Sequence, residues 1–126
     1  MAILSRQEFS TTDSRYVSDS QDVYDIHARR VVMAQVHVPY FGPVNLFSAH
    51  LSWPEDGFYT QFDRMRQWAD ERHDESVTAT LLCGDFNIRA GSDAYCHIVR
   101  SSEYEDQYLK TVNRPAFDRV YRDGVR

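Results

Sequence analysis

The chain is poor in the features that mark a membrane span, a disulfide scaffold or a dedicated polyanion binder. No apolar run approaches the roughly 20 residues that cross a bilayer, and no signal-peptide apolar segment is present. Two cysteines do not make a disulfide framework. Cys83 sits in an apolar run and reads as a small buried hydrophobe. The expectation is a reduced, cytoplasmic setting. There is no basic excess: 14 Lys and Arg face 19 Asp and Glu, for a net charge of -5. That balance argues against unaided binding along a phosphate backbone. Internal repeats and low-complexity tracts are also missing. What remains is 126 residues with 42% hydrophobic, 26% charged and 13% aromatic, which suits one small folded domain.

Hydrophobic spacing sets out the elements. Residues 1–6 are apolar, then polar, and read as a short strand. Residues 7–28 are rich in Ser, Thr and Asp and read as a long loop, with at most a short strand near Tyr16–Val17. Residues 29–38 form the first strong strand. Val32, Ala34, Val36 and Val38 share one face, and Val31 and Met33 make the other apolar. Pro39 to Pro43 is a turn, residues 44–51 are a second strand, and the two strands read as a hairpin. Residues 54–73 are a helix, because Phe58, Phe62, Met65 and Trp68 recur at a 3.6-residue period. Ser52 with Glu55 is the expected capping box, with Asp56 as the competing cap. Residues 78–86 are a third strand with a buried centre at Leu81–Cys83. Ser92 caps a second helix striped by Tyr95, Ile98 and Val99. Strand, strand, helix, strand, helix is an α/β order.

Two strand ends carry chemistry. Gly84-Asp85-Phe86-Asn87 closes the third strand. In an extended chain Asp85 and Asn87 project to the same side, at the strand end where crevices form in α/β sheets. Gly84 permits close approach of the backbone to a neighbour. A carboxylate beside an amide suits phosphoryl chemistry: the one holds a metal or orients a water, the other donates to a phosphate oxygen. The alternative is a strand-to-loop turn in which both side chains bond local backbone. Ser48-Ala49-His50-Leu51 closes the second strand, where His50 reads either as a structural hydrogen-bonding residue or as an acid and donor toward a scissile phosphate. The two ends converge only if the strands run parallel. Specificity is expected from the 7–28 loop and from Trp53–Tyr59, whose aromatics suit base stacking, a lipid pocket or a cap on the core. His73 and His97 fall on helices and read as surface or packing residues.

Taken in order, Ala2-Ile3-Leu4-Ser5-Arg6, Ser48-Ala49-His50-Leu51 and Gly84-Asp85-Phe86-Asn87 resemble the endonuclease/exonuclease/phosphatase superfamily. That superfamily includes deoxyribonucleases, apurinic endonucleases, inositol polyphosphate phosphatases and neutral sphingomyelinases. The resemblance covers roughly residues 1–110. It implies an α/β fold that is part of a four-layer sandwich, two packed mixed sheets with outer helices. It also implies hydrolysis of a phosphodiester or phosphomonoester by an activated water, with Mg²⁺, or Mn²⁺ in its place. By resemblance, Asp85 holds the metal and positions the water, Asn87 binds the phosphate, and His50 contacts the scissile phosphate. The implied substrate is a phosphate ester in a nucleic acid, a phospholipid or an inositol phosphate.

The chain departs from the family pattern in what surrounds these motifs. The family's metal-binding Glu precedes the Ala-Ile-Leu-Ser-Arg stretch and has no counterpart, and Glu8 falls after that stretch. The early Asn and the late Ser-Asp-His are also missing; Ser18-Asp19 and Ser92-Asp93 are not followed by His. Asp118, in Phe117-Asp118-Arg119-Val120-Tyr121, resembles the family's late Asp-bearing strand. The expectation is therefore that residues 1–126 form one partial domain without the family's first and last strands. Exposed sheet edges then favour a homo-oligomer. The alternative function is a catalytically incomplete piece acting as a non-enzymatic binding module.

Overall fold

The computed structural model describes residues 1–107 and Lys110. It divides into two compact units, Met1–Ile88 and a second that begins at Arg89. The Asp118 segment lies outside the described residues.

The first unit is a four-stranded mixed sheet with one helix. Its elements are β1 (Phe9–Tyr16), β2 (Arg30–Val38), β3 (Gly42–His50), α1 (Phe58–Arg72) and β4 (Ala79–Asp85). The strand order is β1-β2-β3-β4. β2 and β3 are the expected antiparallel hairpin, in a register that sets Met33 opposite Phe47 and Val36 opposite Val44. The turn between them places Tyr40 at φ 63°. β3 and β4 run parallel, with α1 in the crossover that parallel neighbours need. No helix among the described residues is long and apolar enough to cross a membrane.

α1 covers one face of the sheet. The stripe predicted from spacing is fully inside: Phe58, Phe62, Met65 and Trp68 are all buried, with Ala69 and Gln61 beside them. Trp68 meets Phe47 edge-on at 5.0 Å between ring centroids, and Phe62 meets Phe86 at 6.4 Å. One buried polar residue ties three elements together. Asn45 is completely buried; it accepts from Gln35 Nε2 at 2.9 Å and donates to the Arg72 carbonyl at 2.9 Å. It thereby joins β2, β3 and the last turn of α1.

The structure corrects the sequence reading in four places. First, residues 1–6 form no strand, whereas Phe9–Tyr16, read as loop, is an eight-residue edge strand paired antiparallel with β2. Its polar composition hid it. An edge strand faces water along most of its length, so Ser, Thr, Asp and Arg replace the alternation of a covered strand. Asp13 is its anchor, accepting from Ser14 N–H at 2.7 Å and from Arg72 Nη2 at 2.8 Å.

Second, neither Ser52 nor Asp56 caps α1. The helix begins after Gly57, at φ 118°, without any side-chain cap, and a single 3-10 turn at Pro54–Asp56 precedes it. Ser52 is buried and paired with Gln61: its N–H donates to Gln61 Oε1 at 2.9 Å, and Gln61 Nε2 donates to its hydroxyl at 3.0 Å. Third, the centre of β4 is not buried. Leu81 is 42% exposed and Cys83 is exposed, because they share with Asp85 the sheet face opposite α1. Partial desolvation still pushes the Cys83 thiol above its ordinary pKa. Fourth, His73 is not within α1 but stands just beyond its last residue, where its ring Nδ1 lies 2.7 Å from Thr80 Oγ1.

In the second unit, α2 (Asp93–Ser101) starts as expected, with the Ser92 hydroxyl accepting from Tyr95 N–H at 3.2 Å. His97 lies on this helix. Tyr95 also donates its phenol to Asp106 at 3.1 Å.

Candidate functional site

The parallel pairing of β3 and β4 brings the two motifs side by side. The ladder runs through Ala49 opposite Gly84 and ends with His50 opposite Asp85. Adjacent strands stand about 5 Å apart, so the two side-chain origins are neighbours. One hydrogen bond carries the pairing a step further, from Leu51 N–H to the Asp85 carbonyl at 2.9 Å. His50 and Asp85 are both exposed, on the sheet face opposite α1.

Gly84 makes that close pairing possible. Its φ is 128°, a conformation L side chains rarely adopt. A Cβ at this position would stand 1.9 Å from the Ala49 carbonyl oxygen and 2.9 Å from the Ala49 nitrogen. The close approach read from the sequence is thus an approach to the neighbouring strand of the same sheet.

Phe86 points the other way, onto Phe62 of α1. That anchor separates the apolar member of the motif from the polar ones. Asn87 then leaves the extended path, at φ 52°. Its N–H donates to Asp85 Oδ1 at 2.9 Å, and its side-chain amide donates to the Leu51 carbonyl at 2.7 Å. The strand-like alternation expected to aim Asp85 and Asn87 together is therefore replaced by a turn. The amide reaches back across the strand gap, and His50, Asp85 and Asn87 are gathered at one sheet end.

Among the described residues, no group of three or more His, Cys, Asp or Glu side chains is placed to hold a metal ion. Of His50, Asp85 and Asn87, Asp85 is the acidic one, with one carboxylate oxygen engaged by Asn87. A Mg²⁺ ion held through one or two carboxylates, with water and substrate phosphate completing its shell, is common. Asp85 suits the role of a single protein ligand of that kind.

No protein-family model matches the chain, and no curated protein matches it. Among solved structures, its fold is similar to that of an endonuclease/exonuclease/phosphatase family protein from Leptotrichia buccalis C-1013-b, with a TM-score of 0.66 and 24% sequence identity. The match covers 82% of this chain and 39% of that one. The chain accordingly shares a mixed α/β fold with one part of that protein.

Proposed function

We propose that the chain carries part of the active site of a metal-dependent phosphoesterase, acting on a phosphodiester or phosphomonoester through an activated water. The observation that supports this reading is the pairing of His50 with Asp85 at the end of a parallel ladder, with Asn87 bonded to both strands. Asp85 is the residue that would hold Mg²⁺ or Mn²⁺. The metal, when bound, offsets phosphate charge and lowers the pKa of a bound water. His50, exposed beside it, donates a proton or a hydrogen bond toward the ester. The Asn87 amide has a second N–H to offer a phosphate oxygen, since only one is needed at Leu51.

The reading is tested with the full chain, by Mg²⁺ titration calorimetry and by hydrolysis of bis(p-nitrophenyl) phosphate. Millimolar or tighter Mg²⁺ binding that Asp85→Ala abolishes, with hydrolysis lost in both Asp85→Ala and His50→Ala, is the expected result. A specific observation favours a second reading: the described residues hold no group of three or more His, Cys, Asp or Glu side chains placed to bind a metal, and the match spans 39% of the solved relative. On that reading the chain is a catalytically incomplete binding module. Neither Mg²⁺ binding nor hydrolysis by the chain would then be measured, and the first reading would fall.

A further inference from the structure

The chain leaving β3 is held from two sides at a single peptide group. Leu51 is completely buried; its N–H donates to the Asp85 carbonyl at 2.9 Å, and its carbonyl accepts the Asn87 side-chain amide at 2.7 Å. Ser52, the next residue, turns to α1. Its N–H donates to Gln61 Oε1 at 2.9 Å, and its hydroxyl accepts from Gln61 Nε2 at 3.0 Å. The Leu51–Ser52 peptide is therefore bonded to Asn87 at its carbonyl and to Gln61 at its N–H. A trans peptide is planar, with the two groups pointing opposite ways. Fixing the N–H fixes the direction in which the carbonyl meets Asn87.

Gln61 is an unusual occupant of its place. It is 4% exposed and stands in the buried stripe of α1, beside Phe62. An amide there is costly unless both of its ends are bonded, and both ends go to Ser52. Gly57 leaves room for it, since a Cβ at that position would stand 3.1 Å from Gln61 Nε2. Successive side chains on a helix point about 100° apart, so neighbours reach different elements. Gln61 reaches the chain leaving β3, and Phe62 lies against Phe86 at 6.4 Å, in the chain leaving β4. Two consecutive residues of α1 thus hold the two arms of the site.

The arms differ in what they depend on. The bond from Asn87 N–H to Asp85 Oδ1 lies within the turn that ends β4 and does not pass through Leu51. The Asn87 side-chain amide does depend on Leu51, and through the shared peptide on Gln61.

We propose that Gln61 is a positioning residue for the site of His50, Asp85 and Asn87: by holding the Ser52 N–H it sets the Leu51–Ser52 peptide plane, and that plane aims the Asn87 side-chain amide. Its effect on catalysis rests on the phosphoesterase reading given above; its effect on Asn87 does not.

The test uses the full chain and Gln61→Met, which keeps the length of the side chain and removes its polar end. Asn45→Ala is the structural control. It also removes a buried amide that ties β3 to α1, but at Arg72, the opposite end of the helix from Gln61. Hydrogen exchange of the Asn87 side-chain amide, followed by nuclear magnetic resonance, should be faster by about tenfold in Gln61→Met than in Asn45→Ala. The Asn87 backbone N–H should exchange alike in the two. Ser52→Ala removes only the hydroxyl partner of Gln61 and guards against a misfolded Gln61→Met; it should speed the same side-chain exchange by roughly two- to fivefold. With bis(p-nitrophenyl) phosphate, Gln61→Met should lower kcat/KM about tenfold, while Mg²⁺ affinity at Asp85 stays within about twofold. Asn87 side-chain exchange that neither Gln61→Met nor Ser52→Ala alters overturns the proposal, and so does an equal increase in Asn45→Ala. Equal losses of Mg²⁺ affinity and of hydrolysis in a folded Gln61→Met also overturn it, because they mark a general structural role. No hydrolysis by the unaltered chain overturns the phosphoesterase reading and the catalytic effect with it, and the exchange of Asn87 still decides whether Gln61 positions the amide.

Discussion

Gly84→Ala should be among the most damaging single-methyl additions in the molecule. Two costs add. The backbone at φ 128° is sparsely populated for any residue with a Cβ, which costs about 1–3 kcal/mol. The new methyl would also stand 1.9 Å from the Ala49 carbonyl oxygen, and both atoms belong to paired strands that cannot turn aside. Relieving that overlap means separating β3 from β4, at about another 1–3 kcal/mol by the usual cost of overpacking. The total is about 2–6 kcal/mol. A unit of this size loses roughly 4–8 °C per kcal/mol, so the melting temperature should fall by at least about 8 °C. Gly57→Ala is the matched control. Its φ of 118° is similar, but its Cβ would meet only the Gln61 side-chain amide, at 3.1 Å. Thermal unfolding followed by circular dichroism should therefore rank Gly84→Ala well below Gly57→Ala. If the two variants melt within about 2 °C of each other, the strand contact at Gly84 contributes nothing and the reasoning is wrong.

Two further predictions concern what holds the sheet against α1. Asn45→Ala leaves the Arg72 carbonyl and the Gln35 amide without partners in a buried place, and should cost about 2–3 kcal/mol in urea unfolding; a loss below 0.5 kcal/mol would show that water replaces the asparagine. Asp13 has a carboxyl held below its ordinary pKa of 3.8, first by Ser14 N–H and then by Arg72. Its contribution is fully present above that ordinary value and disappears as pH falls through the lower folded-state value, so the acid limb of stability below the ordinary value should flatten in Asp13→Asn. The carboxyl is about one-third exposed, which keeps the effect small, and an unchanged acid limb would rule it out.

The parts of the fold that were legible in the sequence are those whose burial is one-sided and repeated. The α1 stripe and the β2–β3 hairpin follow from period alone, since each places apolar side chains against one covering surface. β1 was illegible because its pairing partner supplies the order and its own side chains face water. The failed caps at Ser52 and Asp56 have a related cause. A capping motif is local, but Ser52 has a better partner nine residues on, in Gln61, which only the packed helix brings to it. Cys83 misled in the opposite sense: an apolar run reports affinity for burial, and on the sheet face opposite α1 that affinity is only half met.

The Gly84-Asp85-Phe86-Asn87 site shows why the structural and the functional readings of a short motif need not compete. Read structurally, Asp85 and Asn87 make a turn, and they do make one. Yet that turn uses one carboxylate oxygen and, at Leu51, one amide hydrogen, and each group has further bonding capacity. The same bonds fix where the remaining capacity points, because Asn87 spans from β4 back to the chain leaving β3, while Phe86 is pinned beneath by Phe62. On the proposed phosphoesterase reading, a flexible carboxylate and amide would each have to be ordered as a phosphate bound, whereas these two are ordered beforehand by their own bonds. His50 is held opposite by the ladder itself rather than by any bond of its own side chain. Its placement therefore depends on the β3–β4 contact at Gly84, one step before it, and a change that parts those strands should disturb His50 before it disturbs the Asp85–Asn87 turn.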